Sequence, residues 1–302
     1  MTKTIACKPK SLPPGESTLR AARRAFEINP ANRPHLEGLL HNVGEIAITP
    51  ARLAVSRRRY WGPGGVHLTV SFLGDPPAEL RARILSHMNA WSETANVAFV
   101  ETQGDGQVRI ARTEGDGYWS YLGTDILEIP LHQPTMNLDS FTMQTEESEF
   151  RRVVRHEAGH TLGFVHEHLR RELVERIDRD KAIEYFRDHY GWPEEMTVAQ
   201  VLTPLEEGSL LGTSTADARS IMCYQLPGKI TTDGQPIIGG VDIDPDDAKL
   251  AAKLYPRSGH QPAHTGARAT NGHSPIMFVA ITDSDLIADV IAATQRARPD
   301  AP

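Results

Sequence analysis

Apolar positions along this chain fall into short runs whose period switches between two and about 3.6, so strands and helices are interleaved rather than grouped. Val66, Leu68, Val70 and Phe72 alternate with His67, Thr69 and Ser71, which predicts a strand with one buried face. Leu80, Ile84, Met88 and Trp91 then recur at helical spacing and predict a helix over 78–92. Shorter strands are predicted at 97–101, 107–112 and 118–122, set apart by Gly-Asp turns at 104–106 and 115–117. Upstream, Leu19, Ala22 and Phe26 share one side of a helix from Thr18 to Ile28, where Asn29-Pro30 ends it. Downstream, a helix begins near Thr145 or Glu146. Its first turn carries Glu146, Glu147 and Glu149 against the positive end of the dipole, and Val153, Val154 and Leu162 face a sheet. Residues 171–190 are charged and partly helical. Asp244-Pro245 reads as a cap and first turn, with Leu250 and Leu254 inward before Tyr255-Pro256.

The helix that begins near Glu146 runs into Arg155-His156-Glu157-Ala158-Gly159-His160-Thr161-Leu162-Gly163-Phe164-Val165-His166-Glu167. His156 and His160 are four apart, one helical turn, so both imidazoles can address one ion. Glu157, beside them, can reach a water on that ion without ligating it, which is what a general base requires. A straight helix would carry His166 away; Gly163 tolerates the left-handed conformation that ends a helix and lets His166 return as third ligand. Three neutral imidazoles leave zinc a fourth position, where the pKa of water falls from about 15.7 to about 7. A bare H-E-x-x-H arises by chance in roughly one such sequence in 25, and the added Gly and His lower that to about one in 10,000.

Some 55 residues beyond His166 lies Ser220-Ile221-Met222-Cys223-Tyr224. With this segment the sequence resembles the metzincin metalloproteases, and among them the astacin family, bacterial members most closely, over about Tyr60 to Pro256. Glu167 directly after the third His, Arg170 three residues later and Tyr224 two after Met222 carry the likeness. It implies one catalytic zinc on His156, His160 and His166, Glu157 as base, Met222 as the floor of a methionine turn, and Tyr224 as a mobile ligand that swings to stabilise the oxyanion. It also implies an α+β fold: a twisted, mostly parallel sheet with an active-site helix above a mainly irregular C-terminal subdomain. Trp119 to Gly123 looks like the family's edge strand for extended substrate, with an internal core strand as the alternative. Cys223 stands where His is frequent and Glu172 where Asp is usual.

The boundaries follow from charge and composition. Residues 1–59 hold eleven Lys/Arg against four Glu, and residues 60–256 hold 17 against 31 Asp/Glu. A basic N-terminal segment, read as a candidate pro-segment, therefore precedes an acidic protease domain that should attract it at short range. This balance argues against nucleic acid as a partner, and no run of 18 apolar residues exists to span a membrane. Residues 257–275 read as a linker, and 276–302 as a strand (Ile276 to Ile281) and helix (Asp285 to Arg296) of unassigned role. The N-terminus has no apolar h-region, so the expectation is a cytoplasmic protein or one exported by a non-classical route. Arg57-Arg58-Arg59 is either a processing site or a solvated basic face.

The chain has two cysteines, Cys7 and Cys223, so at most one disulfide. In astacins an N-terminal segment commonly blocks the zinc through an aspartate, and residues 1–59 contain none. Cys7 is the candidate inhibitory switch, since a thiolate is a strong zinc ligand; an ordinary exposed or partly buried thiol is the bland reading. The resulting expectation is a zinc-dependent endopeptidase acting on peptides or proteins through a zinc-bound water activated by Glu157. The rival is a zinc-stabilised binding or regulatory protein of the same fold with little turnover.

Overall fold

The computed structural model describes residues 7, 10–13, 15–32, 59–205 and 216–257. The tail strand and helix, most of the linker, and Arg57 and Arg58 lie outside the described residues. Five strands form one sheet in the order β2-β1-β3-β5-β4: β1 Val66–Phe72, β2 Val97–Glu101, β3 Val108–Ala111, β4 Tyr118–Ser120 and β5 Met136–Leu138. Pairings β1–β2, β1–β3 and β3–β5 are parallel and β4–β5 is antiparallel. The mostly parallel α+β architecture is therefore as expected, and β4 is the edge strand. In β1, Val66, Leu68 and Val70 are buried and His67 and Thr69 exposed, the alternation that the sequence shows. All of β3 is buried, including Arg109, whose guanidinium donates to the carbonyls of Gln133 (2.7 Å), Gly106 (2.9 Å) and Ile129 (2.9 Å). Those bonds satisfy a buried cation and peg the loop before β5.

Helix α1 spans Glu16–Ile28 and α2 spans Ala78–Met88. The buried face of α1 is Ala21, Ala22 and Ala25, with Leu19 and Phe26 only half-buried, so it lies close on its neighbour through small residues. That neighbour is the 3-10 turn Gly123–Glu128, which Arg20 reaches through Glu128 at 3.3 Å. A 3-10 turn, Asn89–Glu93, completes the predicted 78–92 helix and delivers Trp91 beneath the active-site helix. Its indole stacks on Phe164 at 5.0 Å and donates to Arg155 O at 2.9 Å. Arg59 belongs to the folded domain. Its guanidinium pairs with the buried Asp125 at 2.5 Å.

The active-site helix is helical over Glu147–Glu149, passes through a π segment at Phe150–Val154, and continues as α3, Arg155–Thr161. Below it, α4 (Arg179–Tyr190) ends at Gly191, φ 65°, and stacks Phe186 on Trp192 at 4.8 Å. The last described helix, α5 (Pro245–Leu254), opens with a capping box between Asp244 and Asp247. The interior forms two apolar clusters. The upper one joins the sheet, α2, α3 and Met222. The lower one joins Leu173, Ile177, Phe186, Trp192, Cys223 and Tyr224, and includes Cys7. The methionine turn thus runs across the seam between them.

Asp247 ties α5 to that turn. Its carboxylate accepts from Ser220 Oγ at 2.6 Å and Ile221 N at 2.8 Å, besides Asp244 N at 3.2 Å. Asp247→Ala strands a buried N–H and hydroxyl and removes half of the capping box, so it should destabilise the domain by about 2–4 kcal/mol in urea unfolding. A loss below about 0.5 kcal/mol would show that the tether contributes no more than an ordinary surface contact.

Candidate metal centre

Every residue of α3 from His156 to Thr161 is buried, so its polar groups must find partners inside the protein. His156 Nδ1 donates to Ile221 O at 2.6 Å and His160 Nδ1 donates to Phe164 O at 2.7 Å. These bonds fix the tautomers and leave the Nε2 lone pairs facing inward. His166 returns to the same point because the helix stops at Gly163, φ 97°, with Gly163 N bonded to His160 O at 2.8 Å and Phe164 N to Gly159 O at 2.9 Å. The Nε2 of His166 lies 3.2 Å from that of His156 and 3.0 Å from that of His160. Nitrogens bound to one tetrahedral zinc at about 2.05 Å would stand roughly 3.3 Å apart. Burial, the leading cause for each, pushes His156 down to about 4 and His160 and His166 well below the ordinary imidazole value. All three are neutral, as metal ligation requires. Converging lone pairs repel unless a cation sits between them, so the donor set fits zinc.

Met222 packs against α3 beneath the imidazoles. Cys223 N closes the turn on Ser220 O at 2.9 Å, and Glu167 N donates to Met222 O at 2.9 Å. A Cβ on Gly159 would come within 2.6 Å of Met222 Sδ, so helix and floor touch without a side chain between them. Ile221, which hydrogen-bonds His156, is held by Asp247; His156 is therefore oriented from α5 through two bonds.

Glu157 is fully buried beside the imidazoles, and neither carboxylate oxygen has a hydrogen-bond partner among the described residues. Burial pushes its pKa up to about 8, moderated by the nearby Cys7 thiol. The thiol in turn is held well above its ordinary value, by burial first and by Glu157 second. The two therefore sit close enough to interact, though the sulfur is not in hydrogen-bonding geometry with either oxygen. Cys7 itself is 0% exposed, and its Sγ and the three imidazole nitrogens all lie within 4.8 Å of one another. Cys7 and Cys223 are both free.

Tyr224 is buried, with its ring 4.3 Å from His166, and its hydroxyl donates to the backbone carbonyl of Cys7. Burial raises the phenol well above its usual pKa, so it is a hydrogen-bond donor at any ordinary pH. Its orientation depends on His168, which sequence reasoning missed. The two rings stack at 4.0 Å; His168 Nε2 donates to Gln200 O at 2.8 Å, and Nδ1 accepts from Tyr224 N at 3.4 Å. No periodicity marks His168, which is defined by a contact 56 residues away. Thr161 is likewise unmarked; its hydroxyl meets Ser120 Oγ at 3.1 Å and locks α3 to β4.

Comparison with known proteins agrees with this geometry. Zinc metalloproteinase nas-27 of Caenorhabditis elegans is 33% identical over 141 residues, which is 45% of this chain and 30% of that protein, so the chain spans under a third of its length. A solved structure of myroilysin superposes with a TM-score of 0.63 at 31% identity, covering 67% of this chain and 98% of that one. A second myroilysin crystal structure gives 0.51 at 32% identity, over 66% and 86% of the two chains. The family model for astacin, a family of peptidases, matches residues 56–227, more than half of the 302, and the chain therefore belongs to the astacin family.

Proposed function

We propose that this chain is a zinc-dependent endopeptidase and that its N-terminal segment holds it latent through Cys7. The catalytic half rests on one observation: three neutral imidazoles converge on one point beside a buried carboxylate with both oxygens unengaged. Zinc held by His156, His160 and His166 would supply a Lewis acid that acidifies water and polarises a carbonyl. Glu157 is the base. Its carboxylate takes the proton that water gives up on attacking the peptide carbon, then returns it to the leaving amine nitrogen. A carboxyl held up by burial suits that double role, and a bound cation would draw it back towards the ionised form. Tyr224 donates its hydroxyl proton to the oxygen on which charge develops. In this structure that hydroxyl already grips a peptide carbonyl, that of Cys7.

The latent half rests on where the N-terminal segment lies. Cys7 Sγ lies within 4.8 Å of the imidazole nitrogens, its carbonyl takes the Tyr224 hydroxyl, and its thiol is close to Glu157. Lys10 N then donates to Ser120 O at 3.1 Å, with a parallel bridge to Tyr121 at the sheet edge. One segment therefore lies against the imidazoles, close to the base, on the Tyr224 hydroxyl and along the edge strand. A binding protein of the same fold would need neither an unengaged buried carboxylate nor a tyrosine aimed at a peptide carbonyl. The likeness to a zinc metalloproteinase supports peptide or protein substrates.

Three measurements test this reading. Glu157→Gln should keep about one zinc per chain while losing about 10²- to 10⁴-fold in casein cleavage; wild-type turnover would remove Glu157 from the mechanism. His160→Ala should lose the zinc, whereas a stoichiometric metal content would defeat the ligand assignment. Full-length Cys7→Ala should cleave casein several-fold faster than wild type with zinc retained, and an unchanged or slower rate would free Cys7 from any inhibitory role.

A further inference from the structure

Lys10 does more than bridge the edge strand by its backbone. Its Nζ lies 3.5 Å from the centre of the Trp119 ring and 3.7 Å from Asp116 Oδ2. The two receiving groups are joined to each other, since Trp119 Nε1 donates to Asp116 Oδ2 at 2.9 Å, and Tyr121 closes one side with its ring edge-on to Trp119 at 6.0 Å. We infer that Asp116 and Trp119 form a substrate subsite for a lysine or arginine side chain, occupied in this latent chain by Lys10.

The subsite is built before any ligand arrives. Asp116 sits on a tight turn between Gly115 and Gly117, at φ 78° and 70°, and neighbouring strands clamp that turn. Asn137 Nδ2 donates to Gly117 O at 2.6 Å and to Thr113 O at 3.2 Å, and its Oδ1 accepts from Thr113 N at 2.8 Å. Asp139 Oδ2 accepts from Gly117 N at 2.9 Å. The carboxylate is therefore fixed at the end of an aromatic face, an arrangement that favours a cation over an apolar chain of equal length. The site lies on β4, the edge strand that Thr161 of α3 contacts and that the Lys10 backbone already bridges, where an extended peptide can add to the sheet. Lys10 is three residues from Cys7, so the chain lets the subsite stand at most about 10 Å from the metal point. The net acidity of residues 60–256, 17 basic against 31 acidic side chains, works in the same direction.

This inference rests on the cleft assignment above but can fail separately, because it is tested by binding. The protein is the full-length, zinc-loaded Cys7→Ala, Lys10→Ala, Glu157→Gln chain, which removes the thiol and the resident lysine side chain and turns substrate over about 10²- to 10⁴-fold more slowly. The probes are capped octapeptides of Ala, Leu and Gly carrying a single lysine at each position in turn, each with a norleucine counterpart, and the readout is fluorescence anisotropy. At one position the lysine peptide should bind about tenfold tighter than its norleucine twin, a preference that weakens with salt. Asp116→Asn, which keeps an acceptor for the Trp119 indole, should bring that ratio within about twofold. Equal binding of the paired peptides at every position, binding of neither, or a ratio that survives Asp116→Asn would overturn the subsite. Casein cleavage by Cys7→Ala decides the protease reading regardless.

Discussion

The site rests on the convergence of three buried imidazoles, with His166 Nε2 3.2 Å from that of His156 and 3.0 Å from that of His160, a spacing that one cation would bridge. The rings cannot turn away: His156 is fixed by the Ile221 carbonyl and His160 by the Phe164 carbonyl. They cannot escape by protonating, because burial makes the charged form costly. The Ile221 carbonyl is placed by Asp247 from α5, and the Phe164 carbonyl by the reversal at Gly163. Helix α5 and the loop after α3 therefore act on the same few ångströms.

The site lies in the seam between two apolar clusters. Met222 packs upward under Gly159, whereas Cys223 and Tyr224 pack into the lower cluster with Phe186 and Trp192. A five-residue turn thus spans both, and the metal point sits where the clusters meet. The N-terminal segment enters this seam. Cys7 joins the lower cluster while α1 lies against the turn after β4, so the segment has anchors on both sides of the metal point. It places a carbonyl on Tyr224, a backbone bond on the edge strand and a thiol within 4.8 Å of the imidazole nitrogens, the contacts on which the proposed latency rests.

Much of this is legible in the sequence because the informative residues are local. His156, His160 and His166 are bound by the geometry of one helix and one turn, and β1 by strict alternation. Strand β5 is not legible: Met136, Asn137 and Leu138 are all buried, so no alternation marks three residues whose role is to pair with β3 and β4. His168, Thr161 and Asp247 escape sequence reasoning for a related reason, since each is defined by a partner far along the chain. The buried face of α1 is three alanines rather than Leu19 and Phe26, because close approach rather than side-chain size decides burial there. Cys7 is visible in the sequence only as a lone thiol, and three-dimensional placement gives it neighbours.

The central claim, a three-histidine metal point closed by Cys7, is tested most directly by zinc K-edge absorption on the full-length chain as isolated. Three nitrogen neighbours at about 2.0 Å and one sulfur at about 2.3 Å are predicted, with the sulfur lost in Cys7→Ala and the nitrogens kept. A shell of nitrogen and oxygen alone in the wild type, with Cys7 freely titratable by a thiol reagent, would contradict it.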